Sequence, residues 1–132
     1  MSKIAEKFHD NGQLRSRKYK LHGMLHRTDG PAWEEWGKNG VIIFRSFWVN
    51  DQLHRTDGPA REWRPVPELR MHGEFYVNDE YLTEEDFRAW QQRQRELAAL
   101  VFAMEHKFPA DAPEREFLRH ILPAFVVASR PL

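Results

Sequence analysis

Two short segments of the chain carry the side chains best suited to chemistry. The octapeptide LHRTDGPA occurs at Leu25–Ala32 and, unchanged, at Leu53–Ala60, so the copies start 28 positions apart. Each copy places an imidazole, a guanidinium and a carboxylate within four residues, which are His26, Arg27, Asp29, His54, Arg55 and Asp57. A histidine and an arginine could together grip a phosphate, with the arginine as a bidentate donor. A histidine with an aspartate could form an acid–base pair.

A structural role for the octapeptides competes with these chemical roles. In a hairpin, the aspartate can cap its own turn, and a neighbouring arginine or histidine can pair with it. A catalytic constellation is needed once, whereas a packing device is needed in every unit, so two identical copies favour structure over binding and binding over catalysis. The chain has no HExxH motif, cysteine, Gly-rich phosphate loop or nucleophile elbow. We therefore expect no metal, no cofactor and no catalytic residue.

The octapeptides belong to a longer repeat. Asn11-Gly12 falls on Asn39-Gly40 in a register of 28 residues, and Tyr19 falls on Phe47 and then on Phe75. Short turns between the apolar runs allow only antiparallel neighbours. We interpret the Asn-Gly pairs as type I′ turns and expect the glycine of each TDG to take a positive φ. The sequence therefore predicts an antiparallel β-meander of tandem 28-residue hairpin repeats, with two full units and a truncated third.

The chain changes character after Leu82. A predicted N-cap at Thr83 and apolar residues at helical spacing predict a helix from Glu84 to about His106. A second amphipathic helix is predicted to follow Asp111, with a break at Pro123. The predicted fold class is α+β, with the hairpin repeats in residues 1–82 and two amphipathic helices in residues 83–132 that pack on the sheet or on a partner.

Composition narrows the functional classes. The formal net charge is zero, which argues against a bulk electrostatic nucleic-acid binder, although Arg15–Lys20 is locally basic. The first residues contain no apolar stretch typical of a signal peptide, and no apolar run is long enough to span a membrane. We therefore expect a cytoplasmic protein that does not bind membranes.

Aromatic side chains favour a protein partner. Phe44 and Trp48 lie on a second apolar face of the middle unit, which needs a cover from the C-terminal helices or from a partner. The strongly apolar end of the second predicted helix also suggests a homodimer formed through that helix.

The order of Asn-Gly turn, aromatic strand, HRTDGPA and second aromatic strand resembles the MORN-like hairpin-repeat proteins of bacteria, phages and large viruses. The closing YVNDEYLTEEDF is similar to the ending of phage members. The resemblance covers Phe8–Phe87 and implies a binding scaffold without catalytic residues, antitoxin-like in some members.

Three functional hypotheses follow. The first is a non-enzymatic protein-interaction module, encoded by a phage or prophage, that occludes a protein in the host cytoplasm. Its candidate binding residues are the six octapeptide side chains together with Phe44 and Trp48. The second is a binder of a small anionic ligand or nucleotide through the His-Arg turns. The third is a hydrolase that uses His26 or His54 with a neighbouring aspartate.

Overall fold

The computed structural model describes residues 1–107 and 111–113. Within these residues the chain forms ten strands and one helix in an α+β arrangement. The strands are β1 Ser2–Phe8, β2 Leu14–Leu21, β3 Met24–Leu25, β4 Trp33–Trp36, β5 Ile42–Ser46, β6 Trp48–Val49, β7 Gln52–Leu53, β8 Arg61–Trp63, β9 His72–Val77 and β10 Glu80–Leu82, and the helix is α1 Glu84–Lys107.

Every strand pair is antiparallel, which confirms the predicted antiparallel meander. Eight strands form one sheet in the order β1-β2-β4-β5-β8-β9-β10, with the short β3 beside β2. The remaining pair, β6 and β7, forms a separate hairpin. The helix predicted from Glu84 is present as α1, whereas the second predicted helix lies outside the described residues except for its first positions.

The chain divides into two compact units, the first comprising Met1–Glu84 and the second beginning at Glu85. In the second unit, α1 buries Phe87, Trp90 and Leu97, which recur at the helical spacing expected from the sequence. The rings of Phe87 and Trp90 stack with their centroids 5.8 Å apart. In the described part of the chain, no helix combines the length and apolarity needed to cross a bilayer.

The turn types differ from the prediction. At Asn11-Gly12 only the glycine has a positive φ, of 85°. The Gly12 N–H donates to the carbonyl of His9, and the His9 N–H donates to Gln13. This is a type I turn followed by a left-handed glycine, so the type I′ interpretation of the Asn-Gly pairs was wrong.

Type I′ turns occur instead at three other places. Both central residues have a positive φ at His22-Gly23, Asn50-Asp51 and Asn78-Asp79. Asparagine, aspartate and histidine tolerate this left-handed conformation better than most residues. Two of these turns, Asn50-Asp51 and Asn78-Asp79, bond to the octapeptides, as described below.

A row of alternating charges crosses five strands of the large sheet. In the register, Glu6 lies opposite Arg17, Arg17 opposite Glu34, Glu34 opposite Arg45, and Arg45 opposite Glu62. Two pairs form direct ion pairs, Arg17–Glu6 at 2.9 Å and Arg45–Glu62 at 3.0 Å. A one-residue slip would move these side chains to the other face, so the row helps to fix the register of the sheet.

Candidate functional site

The arginine of each octapeptide is held by partners on several sides. In the first copy, Arg27 Nε donates to Asp29 at 2.9 Å, and its Nη1 donates to the Pro31 carbonyl at 3.1 Å. The guanidinium lies over the ring of Tyr19, 4.0 Å from its centroid. Its Nη1 is also 3.6 Å from Glu34, which makes an ion pair too long for a hydrogen bond.

The second copy makes the same contacts at positions 28 residues later. Arg55 donates to Asp57 at 2.8 Å and to the Pro59 carbonyl at 3.0 Å, and it lies 4.0 Å from the centroid of the Phe47 ring. Its bond to Glu62 is shorter, at 2.9 Å. In both octapeptides, the arginine therefore holds its own segment in place through the same set of contacts.

The glycines of the octapeptides are needed to leave room for the arginine side chains, not to form turns. Neither Gly30 nor Gly58 has a positive φ, so the expectation of left-handed glycines there was wrong. A Cβ on Gly30 would lie 2.9 Å from Cζ of Arg27, and one on Gly58 would lie 3.1 Å from Cζ of Arg55. Glycine is required because the guanidinium packs directly against the backbone.

The histidines of the octapeptides bond to the next type I′ turn along the chain. Nδ1 of His26 accepts the Asn50 N–H at 3.2 Å, and Nδ1 of His54 accepts the Asn78 N–H at 3.2 Å. An Nδ1 atom that accepts a hydrogen bond carries no hydrogen of its own. Neither imidazole therefore has the Nδ1–H that an orienting aspartate would accept in an acid–base dyad.

The aspartate of each turn completes this link. Asp51 Oδ1 accepts the Leu25 N–H at 2.6 Å, and Asp79 Oδ1 accepts the Leu53 N–H at 3.1 Å. In return, the N–H of Asp51 donates to the Leu25 carbonyl at 2.9 Å. Each octapeptide is thus bound at its start by the following turn and at its centre by its own arginine.

Both octapeptides line one groove, with a volume of about 640 Å³. Its walls carry Arg27 and Asp29 from the first copy and Arg55 and Asp57 from the second, over a floor that includes Phe47. The two cations and two anions cancel, and the hydrogen bond from Arg27 lowers the pKa of Asp29, which keeps that aspartate ionised. The groove is therefore polar but carries no net positive charge for an anion.

Two titratable groups shielded from water lie in or beside the octapeptides, which are His54 in the second copy and the half-buried Glu34 on β4. Burial lowers the pKa of His54, which is only 9% exposed, so the imidazole is neutral at neutral pH. Burial also raises the pKa of Glu34, against the opposing attraction of Arg27, Arg17 and Arg45. Both shifts follow from the cost of charging a group away from water.

The aromatic residues proposed as a partner surface are half-buried. The ring of Phe44 packs edge-on against Trp33, with centroids 5.2 Å apart. Trp48 donates its indole N–H to the hydroxyl of Ser46 at 2.7 Å, and its carbonyl accepts the Arg27 N–H at 3.0 Å. Alternation along β5 places Phe44 on the opposite face from Arg45 and Phe47, so the structure does not bring it together with the groove.

The most exposed of the described strands is β1, which the sequence prediction missed. All seven residues of this strand are exposed, including Ile4 and Phe8 at 59% each. β1 pairs with β2 on one side, and no other described strand pairs with it on the other side. A strand of this length with a free edge presents a row of unpaired N–H and C=O groups.

The hydrogen bonds of β2 identify which groups of β1 face the free side. Tyr19 lies opposite Ile4, but its N–H donates to Ala32 on the far side of β2, at 2.7 Å. Opposite pairs alternate between hydrogen-bonded and non-hydrogen-bonded in an antiparallel ladder. Ile4 and Glu6 therefore belong to non-bonded pairs, and their backbone N–H and C=O groups point outward.

Comparison with protein-family models, with curated proteins and with solved structures found no match. The described residues also contain no group of three or more histidine and acidic side chains placed to hold a metal ion. The site must therefore be interpreted from its own geometry.

A signal for the missed strand was present in the sequence. Glu6, Glu34 and Glu62 are each 28 residues apart, as are Arg17 and Arg45. Extending the repeat backwards by one period from β4 would have placed a strand at β1, ahead of the Asn11-Gly12 turn.

Proposed function

We propose that the protein is a non-enzymatic interaction module that binds an extended segment of a partner protein by strand addition to β1. The free edge of this fully exposed strand is the observation that carries the proposal. In strand addition, backbone hydrogen bonds supply affinity, and side chains at alternate positions supply specificity. The exposed side chain of Ile4 adds an apolar contact beside that edge.

The octapeptides support this proposal by what their side chains already do. Each arginine is held by an aspartate, a carbonyl and an aromatic ring, and each histidine accepts a backbone N–H at Nδ1. Groups that are bonded within the protein in this way stabilise the scaffold, and we do not propose them as substrate-binding groups. The proposed role of the His-Arg-Asp sets is therefore to stabilise the sheet that presents β1.

The anion-binding alternative has one observation in its favour, the common groove between the two octapeptides. Against it, the two arginines of the groove are already paired with Asp29 and Asp57, so the groove offers an anion no net positive charge. If this were the function, Arg55→Ala would abolish binding of a nucleotide panel measured by calorimetry. We therefore propose strand addition as the better supported function.

A proline substitution in β1 tests whether the free edge of this strand binds the partner. Ile4→Pro removes an outward N–H without breaking the β1–β2 ladder, because proline is tolerated where an edge N–H faces solvent. Ile4→Val is the matched control, which keeps the N–H and a β-branched apolar side chain. Peptides are selected from a random displayed library with the whole chain as bait. They should bind the wild type and Ile4→Val and should not bind Ile4→Pro.

Two results would contradict this function. One is a library selection that enriches no peptide. The other is a set of peptides that bind Ile4→Pro as tightly as wild type while its circular dichroism is unchanged. In either case the free edge of β1 would not be the binding surface.

A further inference from the structure

We infer that the segment added to β1 carries carboxylates opposite Lys3 and Lys7 and a basic side chain opposite Glu6. This inference rests on strand addition at β1 and goes further, because it assigns the chemistry of the partner. It comes from two independent features of the large sheet, a lysine cluster on one face and the charge row on the other.

The lysine cluster consists of Lys3, Lys7, Lys18 and Lys20. Lys3 lies opposite Lys20, and Ala5 lies opposite Lys18, so alternation places all four lysines on one face of β1 and β2. None of them is in an ion pair within the described residues. The nearest acidic side chain on that face in the register is Glu35 on β4, opposite Ser16.

Four like charges on two adjacent strands repel one another, so carboxylates placed beside them gain favourable interactions at several positions. Lys3 and Lys7 lie on the edge strand itself, where the side chains of an added strand would be directly opposite. The neighbouring ammonium group of Lys18 lies over the Trp33 ring, 4.2 Å from its centroid. The cluster therefore favours an acidic segment.

The charge row predicts the other face of the partner. On the side of β4 that corresponds to the free side of β1, Glu34 lies opposite Arg17 of β2. On the same side of β8, Glu62 lies opposite Arg45 of β5. Glu6 occupies the equivalent position in β1, and no arginine of a described strand lies opposite it on the free side. A strand that continued this pattern would place a basic residue there.

These two features define a sequence for the partner. An antiparallel strand facing β1 reads, from its N-terminal end, an acidic residue opposite Lys7 and then a basic residue opposite Glu6. Two positions later an apolar residue lies opposite Ile4, and an acidic residue opposite Lys3 follows it. The peptide TERTVET has this pattern over the length of β1.

Lysines on an edge strand can also serve only to prevent edge-to-edge aggregation. Two observations favour recognition over that role. Lys18 and Lys20 lie on β2, which is paired with β1 and is therefore not an edge strand there. The exposed side chain of Ile4 offers an apolar contact on the face of β1 opposite the lysines. A strand that only prevented association would not present such a contact.

The test measures binding of fluorescently labelled TERTVET to the whole chain by anisotropy, at about 50 mM salt, where screening is modest. The control peptide TRETVET has the same composition and net charge but exchanges the first acidic residue with the basic one. An exposed ion pair changes affinity by about 1.4- to 5-fold, and the exchange turns two attractions into two repulsions. TERTVET should therefore bind at least about fourfold more tightly.

A charge swap tests the pairing directly. Lys7→Glu should weaken TERTVET about tenfold and should restore binding of the complementary peptide TKRTVET. Ile4→Pro should abolish binding of TERTVET and, combined with Lys7→Glu, binding of TKRTVET. Ile4→Val should retain binding of the same peptide in each background. Rescue by the complementary pair would support a direct contact opposite Lys7.

Three results would overturn the inference. Equal affinity for TERTVET, TRETVET and the neutral TSSTVST, all lost in Ile4→Pro, would leave strand addition standing and refute the charge pattern. Failure of all three peptides to bind would refute both. Tighter binding of an oligothymidylate that is unaffected by Ile4→Pro would make the lysine cluster a nucleic-acid surface instead.

Discussion

Replacement of Arg55 by alanine should destabilise the protein by about 2–3 kcal/mol. The side chain is 20% exposed and donates to Glu62, which is 12% exposed, and to the Pro59 carbonyl. A hydrogen bond to a charged group contributes about 1.5–3 kcal/mol, and a guanidinium over an aromatic ring adds about 0.5–1 kcal/mol. The bond to the exposed Asp57 adds little. Glu62 keeps Arg45 at 3.0 Å, which limits the loss.

The equivalent substitution in the first copy should cost less. Arg27 lies 3.6 Å from Glu34 and makes no hydrogen bond to it, so Arg27→Ala should destabilise the protein by about 1–2 kcal/mol. Arg61→Ala is the control, because Arg61 is exposed, lies 3.8 Å from Glu74 and lies 5.6 Å from the centroid of the Trp63 ring. Its effect should stay within about 0.5 kcal/mol.

Urea unfolding followed by circular dichroism measures these differences, with an unchanged m value as the sign that only stability has altered. Arg55→Lys should recover little of the loss, because an ammonium group cannot reproduce the fork that reaches Asp57, Pro59 and Glu62 together. If Arg55→Ala were as stable as Arg61→Ala, the contacts of the octapeptide arginines would not stabilise the fold. The octapeptides would then need a functional explanation such as ligand binding.

Three further predictions concern the same network. Because burial lowers the pKa of His54 below 6.5, the unfolded chain binds its proton first, so the free energy of unfolding should fall as the pH drops below about 6.5. His54→Gln should flatten this fall, in urea titrations at each pH. Gly58→Ala should cost about 1–2 kcal/mol in wild type and less in Arg55→Ala, where the crowded guanidinium is gone. Asp79→Gly keeps the left-handed turn but removes the acceptor for the Leu53 N–H, so thermal unfolding should show a loss of about 1 kcal/mol.

Much of the fold followed from local patterns in the sequence. Turn residues at regular intervals placed the strands between β2 and β10, and the helical spacing after Leu82 placed α1, which ends at Lys107. The Arg-to-Asp pairing inside each octapeptide was also expected, because the partners are two residues apart. These features depend on neighbours in sequence, which is why they could be predicted.

Other features depend on contacts between distant segments. The glycine requirement at Gly58 comes from packing of Arg55 on its own backbone, which no propensity for positive φ indicates. The bond from the Asn78 N–H to His54 joins residues 24 positions apart. β1 was missed because its lysines and glutamate interrupt the apolar pattern of a buried strand, although a half-exposed edge strand tolerates them.

The position of β1 in the sheet gives the binding proposal its physical basis. β4 and β8 each pair with a strand on both sides. β1 lies at the equivalent position one period earlier, and among the described strands it pairs with β2 alone. β2 and the Arg17–Glu6 ion pair already fix the conformation of β1, so an incoming segment would have to order only itself. A preorganised edge lowers the entropic cost of association, which is the main obstacle for a short extended peptide. The octapeptide arginines can thus contribute to binding without contacting the partner, because they keep the sheet in the register that β1 continues.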